Sequence, residues 1–485
     1  MIAVIAAALF PALASAELWS AVDDRQMRSD VELLADYGVI RGPIATWPIN
    51  WSQLRGALEL ADVTQLPSYV RDAHLRLSRL APNSQLSRNR LSYELDVAGT
   101  NEQAIIRGYG AQSRGDYDSQ ARVLANFGGT YLSLSVGLQD ENFGSDITFD
   151  NTYIAQQFGN WIAYAGTVER WWGPGWTSSL IFSTSARPQP QIGIRRNEPD
   201  PFTSKWLRWI GPWSLDIFVS RQDEDTGLFD NDLIAGIRLE IQPIRGMSIG
   251  FTRGIQLCGE DRPCGFSTWT DALIAIGDRD NTGTLDEPGN QMAGVTFRYG
   301  SRLGKLAYSL FLDSAAEDED GTILSVFSVL YGARLSGPWG DSGARWEAIL
   351  EYSDTLANRS LSGPNRPNIT YQNFIYSDGW RYRGRSLGAS QDNDTRLISL
   401  SGHLTDTKNR FYRLTYHYAE FNSDGTGPHT ISLNAETINI LEGETIWPTR
   451  FGDVRGEVRL QDDEPNTPDT SSFAGAIEIS YQLRF

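Results

Sequence analysis

The stretch Phe473-Ala474-Gly475-Ala476-Ile477-Glu478-Ile479-Ser480-Tyr481-Gln482-Leu483-Arg484-Phe485 decides the fold class. Phe473, Gly475, Ile477, Ile479, Tyr481, Leu483 and Phe485 share one side of a period-two pattern, and Ala474, Ala476, Glu478, Ser480, Gln482 and Arg484 share the other. Such a strand has an oil face and a water face. With its terminal aromatic it reads as the closing strand of a bacterial outer-membrane barrel, lipid outside and water inside. The bacterial outer membrane is therefore the expected location.

The same alternation recurs upstream. Tyr412, Leu414, Tyr416 and Tyr418 oppose Arg413, Thr415 and His417, and Val454, Gly456, Val458 and Leu460 oppose Arg455, Glu457 and Arg459. A charge facing lipid at mid-bilayer would cost ~2–4 kcal/mol, so Arg413, Arg455, Arg459 and Arg484 are expected in the lumen, paired with carboxylates such as Glu457 and Glu478. Compact connections at Asp406–Asn409, Ser301–Gly304, Pro243–Gly246 and Gly211–Pro212 fall on one side. The longer Asp223–Asp232, Cys258–Asn290, Asp354–Asp394 and Gln461–Ser472 fall on the other, as short periplasmic turns and long external loops should. Residues 91–485, at roughly 20 residues per strand and connection, predict an all-β transmembrane barrel of about 16–20 antiparallel strands, with 18 the best fit.

The N-terminal part reads differently. Ile2 to Phe10 is a short apolar core, and Ala14-Ser15-Ala16 before Glu17 is a small-residue cleavage pattern, so residues 1–16 are expected to be a signal peptide. In residues 17–90 the spacing is helical. Leu33, Leu34 and Tyr37 precede Gly38, Trp51, Leu54, Leu58 and Ala61 follow Pro48, and Ser68 to Leu80 forms a third run. A unit this small has no deep core of its own. It is expected to be a periplasmic helical bundle or plug packed against the barrel.

The 46 Gly, 15 Trp, 19 Tyr and 20 Phe suit tight turns and aromatic girdles. A net charge of −18 argues against nucleic acid, which requires a basic surface, and means that an acidic polymer would need a local basic patch or bridging cations. Cys258 and Cys264 enclose Gly-Glu-Asp-Arg-Pro, and in an exported chain they are expected to form a disulfide. No cofactor or metal is expected. Asp278, Asp280, Thr282, Gly283 and Asp286 imitate a calcium loop, but Gly289 stands where its bidentate Glu belongs. His74, His403, His417 and His429 are dispersed and no hydrolase motif occurs, so no enzyme is expected.

The densest segment contains Arg170-Trp171-Trp172-Gly173-Pro174-Gly175-Trp176, Ser185-Ala186-Arg187-Pro188, and Lys205-Trp206-Leu207-Arg208-Trp209-Ile210-Gly211-Pro212-Trp213. With Leu33-Leu34-Ala35-Asp36-Tyr37-Gly38, Thr46-Trp47-Pro48 and Gly289-Asn290-Gln291-Met292-Ala293-Gly294 leading to Arg298-Tyr299, it resembles the Wzi-type capsule assembly proteins of the outer membrane. That resemblance implies a barrel with periplasmic helices acting as a surface lectin for capsular or extracellular polysaccharide. A porin-like channel for sugars or small solutes is the competing reading, and the helices offer a surface for a periplasmic partner. Trp171, Trp172, Trp176, Trp206, Trp209 and Trp213, with Arg187, Lys205 and Arg208, are the candidate sugar-binding set, since Trp rings can stack on pyranose faces. The same residues also read as membrane-interface anchors and packing.

Overall fold

The computed structural model describes residues 17–81, 90–141, 144–222, 231–274, 289–317, 326–340, 343–358, 365–467 and 471–484. The expected signal peptide and most of the calcium-like loop lie outside them. The polypeptide closes into an antiparallel barrel of 18 strands, with the strand Arg90–Thr100 paired to Ala474–Arg484 across the seam. One strand is broken into Gly144–Thr148 and Tyr153–Phe158, both halves pairing with Thr130–Glu141. In the last strand Ile477 and Ile479 are exposed on the outside, while Ala476, Glu478 and Ser480 are buried inside. The alternation read from the sequence is thus the lipid–lumen alternation of the wall.

Turns such as Gly128–Gly129, Arg245–Gly246 and Gly304–Lys305 lie at one mouth, and the long connections lie at the other. The compact Gly211–Pro212 connection expected from the sequence does not stand alone. It is only the end of a longer connection, residues 197–212, that includes a 3-10 turn at Arg208–Ile210.

Helix α1 (Arg25–Asp36) starts where the Asp24 carboxylate accepts a hydrogen bond from the Met27 N–H at 2.8 Å, and it stops at Gly38, whose φ of +71° suits glycine. Helices α2 (Trp51–Glu59) and α3 (Ser68–Leu80) complete the unit, packing Leu54, Leu58, Tyr69, Val70 and Leu77 against Val31, Leu33 and Leu34. This unit occupies the short-turn mouth. Arg245 donates to the Tyr37 carbonyl at 3.0 Å, and the Tyr69 hydroxyl donates to the Lys305 carbonyl at 2.6 Å.

Apolar packing alone does not hold α1 in place. Its charged side chains are buried against the lumen wall. Asp36 meets Arg298 at 2.6 Å and Arg334 at 2.9 Å, Asp30 meets Arg345 at 2.7 Å, and Arg25 meets Glu444 at 2.8 Å. The expected lumenal arginines behave likewise. Arg413 binds Glu442 and Glu444 at 2.7 Å each, Arg459 binds Glu478 at 3.0 Å, and Arg484 binds Glu94 at 3.1 Å. Charges with no water to solvate them must find each other.

Candidate functional site

Three segments fold inward and fill the lumen. Trp171–Trp172 forms a short antiparallel ladder with Thr46–Trp47, the Ser183 N–H donates to the Leu387 carbonyl at 2.7 Å, and Trp380 Nε1–H donates to the Ile181 carbonyl at 2.8 Å. Trp172, Leu180, Ile181, Phe182, Tyr371 and Trp380 then pack on the lumenal wall residues Phe218, Met292, Phe311, Leu330 and Ile349. Glycines in the wall make room for them. A Cβ on Gly254 would stand 2.7 Å from the Trp380 ring, and one on Gly294 would stand 2.7 Å from Ile181 Cδ1.

The candidate sugar-binding set is not brought together. Trp171, Trp172 and Trp176 are buried in this plug, where the Arg28 guanidinium lies 4.4 Å from the Tyr109 ring centroid and 4.5 Å from that of Trp176. The backbone N–H groups of Trp176 and Thr177 donate to the Glu351 carboxylate at 2.6 and 2.8 Å, fixing the loop and leaving no open ring face. Arg187 pairs with Asp150 at 3.2 Å inside the barrel. Lys205, Trp206, Arg208, Trp209 and Trp213 lie outside this plug, at the rim of the short-turn mouth. Cys258 and Cys264 are joined by a disulfide, as expected, with Cα atoms 4.8 Å apart.

A serine–histidine–carboxylate chain does occur in the lumen. Ser399 Oγ is 2.7 Å from His417 Nδ1, and His417 Nε2 is 3.6 Å from Glu442. All three are buried, Glu442 is clamped by Arg413, and the adjoining cavity of about 30 Å³ has room for a water molecule but not a substrate. We regard it as wall structure.

The long-loop mouth carries a different candidate, a groove of about 560 Å³ lined by Gln103, Arg107, Ser185, Arg383, Arg385, Ser390, Thr430 and Asn466, with Glu102 and Glu464 at its sides. The chain path builds it locally. Arg381 ties Asp392 at 2.8 Å and the Tyr371 carbonyl at 3.0 Å, so the Arg381-Tyr382-Arg383-Gly384-Arg385 run folds back over the plug. Arg385 donates to Gln103 Oε1 at 2.7 Å and to the Arg114 carbonyl at 2.6 Å, and Arg383 reaches Asp146 at 2.9 Å.

Arg107 is the unusual member. It is 2% exposed, its guanidinium binds only the Ser113 and Gln112 carbonyls, and its Nε–H finds no acceptor among the described residues. Burial, with the Arg385 and Arg114 charges beside it, pushes the guanidinium below its ordinary value, the direction that an incoming anion would reverse. Guanidinium forks bind carboxylates in a bidentate manner, and the surrounding hydroxyl and amide groups suit sugar hydroxyls. The sequence reading missed this groove. Its available signal was the Arg381–Arg385 run, a cationic cluster within a long external loop of an acidic chain.

The chain is similar to known proteins over nearly its whole length. The profile of the family described as Capsule assembly protein Wzi matches residues 86–464. An uncharacterized 55.8 kDa protein in the cps region of Klebsiella pneumoniae is 30% identical over 478 residues, covering 95% of this chain and 89% of that protein. The solved structure of Wzi, described as an outer-membrane protein involved in group 1 capsule assembly in Escherichia coli and a carbohydrate-binding β-barrel, superposes with a TM-score of 0.80. That match has 23% identity and covers 96% of this chain and 99% of that one.

Proposed function

We infer the function from one premise: this chain belongs to the family of the capsule assembly protein Wzi. It is an outer-membrane barrel that binds capsular or extracellular polysaccharide and helps hold it at the cell surface. It acts as a binder, not a catalyst. Helices α1, α2 and α3 close the periplasmic mouth, and the groove around Arg107, Arg383 and Arg385 receives the polymer on the outside. An arginine buried beside other cations and with no ion-pair partner among the described residues is the single observation that carries the site. It gives an acidic polymer a local foothold on a chain of net charge −18.

Inward loops and helix α1 obstruct the lumen, which supports attachment over a diffusion channel for small solutes. Deleting the protein should release polymer into the medium while synthesis continues, and the Arg107→Ala/Arg385→Ala variant should fail to restore attachment. Restoration equal to wild type would refute the site. Attachment unchanged by the deletion would refute the function.

A further inference from the structure

Residues 197–212 leave the wall at Arg196 and return at Trp213, at the mouth occupied by the helices. Alternation gives the geometry. Asp216 and Phe218, like Arg238 and Glu240, are buried toward the lumen, so the register partners Trp213 and Ile241 face outward. Outward residues nearby stand open, with Ile192 65% exposed, yet Trp213 is 8% and Ile241 9% exposed. Their cover is this connection. Phe202 stacks on Trp213 at 4.7 Å with planes 11° apart, the Arg196 guanidinium lies 3.9 Å from the Trp213 ring centroid, and the Arg208–Ile210 turn rests on the strand Leu233–Ile244. Within this segment, residues 197–199 still touch the helical unit, whereas residues 202–210 lie over the outer, lipid-facing wall.

Its own turn is well formed. The Leu207 and Arg208 N–H groups donate to the Ser204 carbonyl at 3.2 and 2.9 Å, and Gly211 takes a φ of +70° to let the chain rejoin the strand. This fold leaves Trp206 86% and Trp209 63% exposed, with Leu207 beside them. Lys205 and Arg208 are exposed and make no ion pair among the described residues. The acidic Glu198 and Asp200 stay at the start of the segment, where Asn160 donates to the Glu198 carbonyl and Arg196 to the Asp200 carbonyl, both at 3.0 Å. Around the same rim Phe127, Phe158, Ile244, Leu303, Trp447 and Phe451 are exposed, so the segment continues an existing belt.

We propose that residues 202–209 are a membrane anchor. Trp206 and Trp209 enter the interface of the leaflet at the helical mouth, and Lys205 and Arg208 pair with phospholipid phosphates. Indole rings favour that depth because one edge is polar and the body apolar, and cations beside them gain from an anionic lipid surface.

The test uses full-length protein in vesicles of phosphatidylcholine with brominated acyl chains. Subtracting the emission of the Trp206→Phe/Trp209→Phe variant isolates these two rings from the other tryptophans. Their signal should be quenched by bromine near the headgroup end of the chains and spared by aqueous acrylamide. Acrylamide quenching without bromolipid quenching would overturn the anchor and point to a water-facing docking surface. Replacing part of the lipid with phosphatidylglycerol brominated at the same carbons should deepen the quenching in wild type but not in Lys205→Gln/Arg208→Gln. Equal response in both would overturn the phosphate pairing. Heat-modifiable gel mobility unchanged from wild type verifies that each variant is folded.

Discussion

Replacing Asp36 with Ala should loosen the plug. Asp36 bridges Arg298 at 2.6 Å and Arg334 at 2.9 Å, with all three side chains at most 5% exposed. Removing one partner of a buried pair leaves an uncompensated charge and costs roughly 3–5 kcal/mol. The two arginines are not equally affected. Arg334 keeps Glu347 and has Glu32 at 3.6 Å, whereas among the described residues Arg298 keeps only Glu32 at 4.0 Å. We therefore place the loss near the low end, about 3 kcal/mol, which raises the undocked population of α1 about 10²-fold. Protease cleavage within α1, under conditions where opening and closing outpace cleavage, reports that population. Cleavage should accelerate by about that factor, with brief current steps appearing in planar bilayers. Asp36→Asn, which keeps an acceptor oxygen, should fall between. Cleavage of Asp36→Ala at the wild-type rate would refute the claim that ion pairs hold the helix in the barrel.

Further outcomes follow from other parts of the structure. Gly254→Leu would drive a side chain into the Trp380 ring, so it should displace the inward loop at a cost of about 1–3 kcal/mol, read as faster proteolysis of residues 371–392 with the barrel's heat-modifiable mobility retained. His429 accepts the Ile431 and Ser432 N–H groups on Nδ1 at 3.1 Å each, and burial holds its protonation below the ordinary 6.5. The open loop therefore takes up the proton first, so hydrogen-exchange protection of residues 422–435 should fall as pH drops below 6.5, by up to about tenfold per unit. His429→Asn should flatten that profile. Losing the Cys258–Cys264 disulfide in the double Ser variant should cost roughly 2 kcal/mol locally, seen as faster exchange around 258–264 with polymer binding intact.

Much of the fold was legible because a wall between lipid and water imposes a period of two on every strand. The run Phe473 to Phe485 displays that period, and the contrast of short turns with long loops distinguished the two mouths of the barrel. Helix α3 matched its apolar spacing, Ser68 to Leu80. Helix α1 began earlier than the spacing around Leu33 suggested, because its first five residues include Arg25, Arg28 and Ser29, polar residues buried because the lumen wall (Glu444, Glu347) and an inward loop (the Pro174 carbonyl) supply their partners. Such pairs join residues hundreds of positions apart, and no local pattern announces them. The candidate site was less legible for the same reason. A Trp/Gly/Pro run reads alike whether it stacks on a sugar, fills a lumen or enters an interface, and the structure uses Trp171 for packing while leaving Trp206 exposed. Only the three-dimensional path of the loops sets Arg107 beside Arg385.

Titration of the purified barrel with the host's own surface polysaccharide, against unrelated neutral polymers, shows whether the barrel is a polysaccharide binder. We expect saturable binding to the host polymer that weakens with added salt and drops about 10–100-fold in Arg107→Ala/Arg385→Ala, as the loss of charged hydrogen bonds of ~1.5–3 kcal/mol requires. Absence of binding, or equal binding to every polymer and by the variant, would mean that the barrel does not hold this polymer through the arginine groove.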